Sequence, residues 1–350
     1  MAFSQYRGVS TYVIFAEDTA FGTAGVPTGG DYVDKVTSFN ATITNNMVRV
    51  QGIGEGRNAT KVVNGNLDCN GNIAWELTDP DFLQYCFIGT TDGSNTVGDP
   101  FKITEKDAIG YGADEVNTLT LEVGRDGGAN DDVMTYDGVT INTFTINALP
   151  GETIKCTADW IGRTGTSSTS TETYVEPTNR PLTFIDGSVS VGSDVVGELT
   201  SFSLTGANNI FTYRSMGSRL ISQPVAGVRR YDFTFAVKMA YNDASNVLSA
   251  LEARGIVFDG TPSATTPNTG AENTAVPLSF DLAEGSGAGD RVINFDLENC
   301  YFESHSTPVA IGAGGAGAEG GGGEGVIEMT ITGFGLAGVG GVPCKWWTIV

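Results

Sequence analysis

The chain has 350 residues, enough for two domains of ordinary size, and carries 41 acidic against 19 basic side chains for a net charge of −22. The acid excess is spread over both halves and repels nucleic acid, which argues against tight DNA binding. One histidine, His305, and five widely spaced cysteines without a CxxC pair exclude two-histidine metal motifs and argue against a zinc site or disulfide framework; reduced, buried thiols are expected.

Residues 1–30 hold one short apolar stretch, Tyr12-Val13-Ile14-Phe15, followed by Glu17-Asp18-Thr19-Ala20-Phe21-Gly22-Thr23 and a Gly/Pro loop. This reads as an arm rather than core. Met1-Ala2-Phe3-Ser4-Gln5-Tyr6-Arg7 lacks the apolar core of a secretory leader, and no run reaches the ~18 apolar residues of a membrane-spanning helix. A soluble product made in a cytoplasm, with no membrane partner, is expected.

Residues 33–50 alternate, with Phe39, Ala41 and Ile43 on one face and Ser38, Asn40, Thr42 and Thr44 on the other, the period of a half-buried strand. Residues 51–59 form a glycine-rich connection containing Gly52, Gly54, Glu55, Gly56 and Arg57. A nucleotide-binding loop needs a strand before it and a helix after it; strands on both sides make this a hairpin tip. From 66 to 77, Leu67, Cys69, Ile73, Trp75 and Leu77 share one face with Gly71, and Asn66, Asp68, Asn70, Asn72 and Glu76 share the other with Ala74. The segments together predict a long β-hairpin with one dry and one wet face. A helix over 79–88 follows, capped by Thr78 or Asp79, with Pro80 at its first position, Phe82, Leu83, Cys86 and Phe87 as its apolar stripe, and Gly89 as its stop. Strands are predicted near 117–124, 132–137, 139–147 and 153–161. The acidic loop with Asp126, Asn130, Asp131, Asp132 and Asp137 is the best calcium candidate, but its spacing is not that of an EF-hand and a solvated turn is the simpler reading. Asn40-Ala41-Thr42 and Asn58-Ala59-Thr60 match the glycosylation sequon, which carries little weight without a leader.

The second half repeats this layout. Val36-Thr37-Ser38-Phe39 is answered by Leu199-Thr200-Ser201-Phe202, and Gly54-Glu55-Gly56-Arg57 by Gly217-Ser218-Arg219. Leu119-Thr120-Leu121-Glu122 is answered by Leu278-Ser279-Phe280-Asp281. After a loop at about 215–225, Tyr231, Phe233, Phe235, Val237, Met239 and Tyr241 oppose Arg230, Asp232, Thr234, Ala236, Lys238 and Ala240. Asn242 or Asp243 then caps a helix closed by Arg254-Gly255, and strands near 276–283, 290–297, 299–305 and 325–334 follow. The glycine-rich stretch 312–325 replaces a short turn and should be a mobile surface loop. Trp346-Trp347-Thr348-Ile349-Val350 is an apolar end that docks either on a neighbour or on its own domain. The period is too long for a solenoid and points to a duplicated domain: residues 1–165 with the N-terminal arm, a Ser/Thr/Pro-rich linker 166–180, and 181–350 with the insertion 312–325. The composition suits strands and turns, so the expected fold is mainly β. It comprises two tandem β-sandwich or partial-barrel domains, each with its own core and one flanking helix.

The N-terminal arm, Tyr32-Val33, the Thr/Asn-rich strand 36–44, the Gly54-Glu55-Gly56-Arg57 connection, the strand ending at Trp75 and the helix 79–88 follow an order that resembles tail tube proteins of tailed viruses. The resemblance implies hexagonal rings whose inner strands close into a barrel, stacked into a hollow conduit for genome delivery. It implies self-association, tape-measure and tail terminator or baseplate proteins as partners, and a place in the virion tail after assembly in the host cytoplasm. Two equivalent domains per chain imply a trimeric ring with pseudo-sixfold symmetry, the alternative being a hexamer with the second domain outside the tube.

The small polar face of each hairpin suits a water-filled lumen. Asn66, Asp68, Asn70, Asn72, Glu76, Arg230, Asp232, Thr234 and Lys238 are therefore expected on the inner wall, past which double-stranded DNA slides without sticking. Gly54, Glu55, Arg57, Gly217 and Arg219 are expected in loops that contact other subunits or rings. No enzymatic activity, cofactor or metal is expected. The rival reading is a secreted or cell-surface β-sandwich filament or adhesin subunit.

Overall fold

Long alternating Val/Thr/aromatic segments favour a pleated, half-buried surface, and strands dominate the computed structural model. It describes residues 11–28, 32–33, 35–51, 61–79, 81–92, 102–105, 116–125, 132–168, 179–191, 194–196, 199–239, 276–284, 292–306, 327–335 and 344–349. The first half contributes β1 (Thr11–Glu17), β2 (Lys35–Val50), β3 (Lys61–Glu76), α1 (Leu83–Cys86), β4 (Gly89–Asp92), β5 (Lys102–Glu105), β6 (Leu119–Arg125), β7 (Asp132–Ala148), β8 (Lys155–Gly162) and β9 (Thr164–Ser168). The second half contributes β10 (Gly187–Val191), β11 (Asp194–Val196), β12 (Leu199–Ala207), β13 (Phe211–Tyr213), β14 (Gln223–Val225), β15 (Arg230–Met239), β16 (Val276–Ala283), β17 (Val292–Ser306), β18 (Ile327–Gly335) and β19 (Cys344–Ile349).

One antiparallel sheet runs in the order β2-β3-β8-β7-β12-β15-β18-β17, four strands from each half. Outer strands complete a sandwich over each half. The N-terminal part of β7 leaves the long sheet to pair with β6 and β9, and β6 pairs with β1. The N-terminal part of β17 likewise pairs with β16 and β19, and β16 with β10. The core lies between the layers. Phe15 of β1 meets Phe82 at 5.4 Å, and Phe82 meets Trp75 of β3 at 5.1 Å. In the second half Phe202 of β12 stacks on Phe280 of β16 at 4.0 Å.

The halves share their irregularities as well as their pairings. The register shift at Val36/Ser38 in β2–β3 recurs at Leu199/Ser201 in β12–β15. That at Ile141/Thr143 in β7–β8 recurs at Phe302/Ser304 in β17–β18, and that at Leu119/Leu121 in β6–β7 at Val276/Leu278 in β16–β17; the pairing thus matches Leu121 with Leu278, two residues away from the Leu119–Leu278 match read from the sequence. Bulges bend strands and re-aim side chains, so the matched bulges bend the strands at corresponding places in the two halves.

Several expectations change. Tyr12-Val13-Ile14-Phe15 is a buried core strand, not an arm: β1 pairs with β6 along its whole length. Its short apolar run carries no alternation because it is covered by both the core and the chain that follows. The first helix is only four residues long, with Phe82 at its N-cap and no side-chain cap, instead of spanning 79–88. Ile88 ends it in a left-handed conformation (φ 49°) before Gly89 starts β4. The strands predicted at 132–137 and 139–147 are one strand, because Gly138 (φ 61°) kinks the chain without ending it; those at 290–297 and 299–305 likewise merge into β17.

The expectation of two separate cores gives way to one unbroken core, joined where Phe144 of β7 lies 4.4 Å from Phe87 and 6.4 Å from Tyr231. The linker is also shorter than 166–180: β9 runs to Ser168, and the Leu182 N–H bonds back to the Leu77 carbonyl of the first half at 2.8 Å. The predicted second helix, all of the predicted tip 51–59 except Gln51, and the insertion 312–325 lie outside the described residues.

Candidate functional site

Strand alternation sends every second side chain of the long sheet into the sandwich and leaves the others on one continuous outer face. On β3, Cys69, Ile73 and Trp75 are buried while Asn70 and Asn72 are exposed. On β15, Tyr231, Phe233 and Phe235 are buried, Asp232 and Thr234 half-buried and Arg230 exposed. The outer face continues through Thr157 and Asp159 of β8, Thr143 and Thr145 of β7, Ser203 and Thr205 of β12, and Thr330 and Thr332 of β18. It is a wall of short hydroxyl and amide side chains, with a shallow trough lined by Asn40, Thr42, Asn70, Asn72, Asn142 and Asp159.

Of the residues expected on an inner wall, Asn70, Asn72, Glu76, Arg230, Asp232 and Thr234 share this face. Lys238 occupies the matching backbone position on β15. The cation Arg230 is neutralised by Asp232 at 2.8 Å, and Lys155 by Glu152 at 2.6 Å. Asn66 and Asp68 sit further out, next to the register shift at Asn45/Met47, and Asp68 is held by the guanidinium of Arg214 from the second half. That carboxylate is a tether between halves rather than a free wall group.

Beyond the sheet, each long hairpin continues as an arm. In the first half the arm carries exposed Met47, Val48, Val50, Val62 and Val63; in the second it is the β13–β14 ribbon, with exposed Phe211 and Tyr213. The second arm leans back over the first. Arg219 donates through Nε to the Gly65 carbonyl at 2.7 Å and through Nη2 to Asn45 Oδ1, and its own carbonyl accepts from the Leu67 N–H at 3.0 Å. Gly217 (φ 90°) forms the turn that precedes it. Arg219 therefore bridges two halves of one chain, while Gly54, Glu55 and Arg57 lie outside the described residues.

The two halves meet at the seam between β7 and β12, where Phe202 faces Ala148, Leu204 faces Ile146, Thr205 faces Thr145 and Gly206 faces Phe144. Thr145 and Thr205 bring their hydroxyls to 3.3 Å. A Cβ on Gly206 would lie 2.2 Å from the Phe144 ring, so only glycine admits that ring. Asn208 closes the end of the seam. It is 1 % exposed, and its Nδ2 donates to the carbonyls of Cys86 at 2.8 Å and Ile141 at 2.9 Å. Asn142 reciprocates, its backbone carbonyl accepting from the Asn208 N–H and its Oδ1 from the Ile210 N–H. The sequence reading missed Asn208, although a signal existed: Asn45-Asn46 and Asn208-Asn209 hold matching places in the two halves.

Cys69, Cys86, Cys156 and Cys300 are buried thiols that take part in no disulfide. Burial, aided by the charge of Asp137, pushes the Cys69 thiol up to about 12, and burial pushes Cys300 to about 12 and Cys86 higher still; these are packing residues, not nucleophiles. In the calcium candidate, Asp132 pairs with Arg125 at 2.8 Å, and Asp126, Asn130 and Asp131 lie outside the described residues. Among the described residues no group of three His, Cys, Asp or Glu side chains could hold a metal ion, and no helix is long and apolar enough to cross a membrane. The backbone of 344–349, including Trp346 and Trp347, pairs with β17 of its own half. His305 lies on the backbone of β17 opposite Ile331.

A mainly-β sandwich subunit with a long polar sheet face is what these observations define. The family profile described as phage tail tube protein matches residues 8–333, and the chain belongs to that family. It is thus a structural component of the virion tail. A solved structure with similarity is the cryo-EM structure of the anti-feeding prophage cap, the tube-terminating cap, at 12% identity and a TM-score of 0.30, covering 46% of this chain and 91% of that one. Among curated proteins no sequence match is found.

Proposed function

We propose that the protein is the repeating subunit of a tail tube, in which rings stack into a hollow conduit for genome delivery. The observation that carries this reading is the continuous β2-to-β17 sheet, buried on one face and small-polar on the other. Ser, Thr and Asn side chains hold water and make weak neutral contacts. Pairing Arg230 with Asp232 on a chain of net charge −22 weakens the hold of that cation on phosphates, which favours double-stranded DNA sliding past. The wall comprises Asn70, Asn72, Glu76, Arg230, Asp232, Thr234 and Lys238.

In this reading the chain is a tandem pair of tube domains, supported by the matched pairings and bulges of its halves. Three chains close a ring with pseudo-sixfold symmetry. Tape-measure and terminator or baseplate proteins would be its partners at the lumen and tube ends, with assembly in the host cytoplasm. Cryo-EM of the concentrated full-length protein tests this: hollow tubes built from three-chain rings support it, six chains per ring reject the trimer, and a monodisperse monomer at every concentration and salt rejects the tube.

A further inference from the structure

We propose that the seam inside the chain is repeated between chains: β2 of one copy pairs antiparallel with residues 304–306 of β17 in the next, and Asn45 locks that junction as Asn208 locks the internal one. The proposal rests on the ring reading above and names the surfaces that would close the ring.

The edges are open and complementary. Among the described residues β2 pairs only with β3, and residues 301–306 of β17 pair only with β18. Their counterparts β12 and β7 pair with each other. Long unpaired edges are a liability that closure removes. The shared bulges fix the correspondence: Val36/Ser38 aligns β2 with β12, and Phe302/Ser304 aligns β17 with β7. Carrying the internal register across places Thr42 opposite Ser306, Ile43 opposite His305 and Thr44 opposite Ser304. Thr42 and Ser306 then repeat the hydroxyl pair of Thr205 and Thr145. The pair Gly206 and Phe144 becomes Ile43 and His305, a redistribution of bulk with a precedent in this chain. Trp160 covers Gly71 between β8 and β3, whereas Phe233 covers Gly333 at the matching cross-strand position.

Asn45 carries the argument furthest. It is exposed in the single chain, yet it is the same residue as its buried counterpart Asn208. Across the open seam its Nδ2 would meet the carbonyl of Phe302, the counterpart of Ile141. The Met47 N–H would meet the carboxylate of Glu303, which stands where Asn142 offers its Oδ1. The arm clamp supplies an independent sign. Asn45 Oδ1 accepts from Arg219, whereas Asn208 Oδ1 is buried and has no hydrogen-bond partner. A buried acceptor left unsatisfied is costly. A donor brought by the next copy would satisfy Asn208 Oδ1 as Arg219 satisfies Asn45 Oδ1 within the chain.

Disulfide trapping in the full-length protein tests the register. On oxidation Thr42→Cys/Ser306→Cys should form covalent dimers and closed trimers on non-reducing gels. Thr145→Cys/Thr205→Cys should cross-link within one chain, and each single variant and the mismatched Thr42→Cys/Thr205→Cys should give no ladder. Asn45→Ala loses only the exposed bond from Arg219 in the monomer, so it should lower the monomer melting temperature much less than Asn208→Ala while raising the concentration for half-assembly about tenfold. Tubes seen by electron microscopy without the Thr42–Ser306 cross-link overturn the seam and leave the tube reading standing. A chain that never assembles overturns both. A melting temperature lowered in Asn45→Ala as much as in Asn208→Ala assigns Asn45 to its own chain and rejects its role at the junction.

Discussion

The two halves of this chain agree in what the backbone does and differ in how the interior is filled. Pairings, bulges and the polar outer face coincide, yet the first half builds its core on Trp75 and Trp160 and the second on Phe202, Phe233, Phe235 and Phe280. Trp75 even corresponds to Val237 through the register shared by β2–β3 and β12–β15. Backbone hydrogen bonding must be satisfied at every residue and so resists change. Side-chain volume has to balance only among the groups that touch, and can move from one strand to its neighbour.

The largest expected effect comes from removing bulk that the first half alone uses. Trp75→Ala should cost about 3–5 kcal/mol in denaturant unfolding, because the cavity beside Phe82 cannot collapse. Val237→Ala at the matching place should cost clearly less; equal losses would mean that the two sandwiches share their packing load in another way. Forcing bulk onto the glycine side is next. Gly71→Phe meets the Asn40 carbonyl and the Trp160 ring and should cost about 1–3 kcal/mol or more, and adding Trp160→Gly should recover part of the loss by adopting the second half's arrangement. A double-variant cycle showing no coupling breaks the exchange argument.

Asn208→Ala leaves the Cys86 and Ile141 carbonyls without that donor and should cost roughly 1–3 kcal/mol, read as a lower melting temperature of the monomer. The junction between the halves offers a pH test. Burial alone would raise the Asp186 carboxyl. Hydrogen bonds from Arg180 and from the Thr183 backbone and hydroxyl, with the charge of Arg180, instead hold it at about 2. A depressed carboxylate stabilises the fold fully above its unfolded value of roughly 3.9 and loses that contribution as pH falls through about 2. Asp186→Asn should therefore lower stability at pH 7 and flatten its decline between about pH 4 and 2. An unchanged acid limb would deny Asp186 this role. The smallest effect is expected on the polar face: Asn70→Ala should shift stability by less than about 0.5 kcal/mol, and a larger loss would show that the wall is structural.

Much of this was legible before the fold was known. The period-two pattern of 66–77 and 230–241 sorted buried from exposed side chains because a strand alternates whatever surrounds it. The repeat of Val36–Phe39 in Leu199–Phe202 announced two like halves. Other features were hidden for physical reasons. Tyr12-Val13-Ile14-Phe15 reads as an isolated apolar patch until β6 and the core cover it. The helix 79–88 shrank to Leu83–Cys86 because packing of Phe82 and Ile88, not capping chemistry, set its ends.

The sequence by itself determined which faces are dry and wet, the mainly-β class and the family, since these follow from local periodicity and residue order. Only the tertiary structure decided that the halves share one core, that β7 and β12 zip them together, that Asn208 closes that seam while Arg219 ties one arm to the other, and that among the described residues β2 and the end of β17 are paired on one side only. Those are contacts between residues far apart in the chain, and their partners are chosen by register and shape complementarity, which no local pattern encodes.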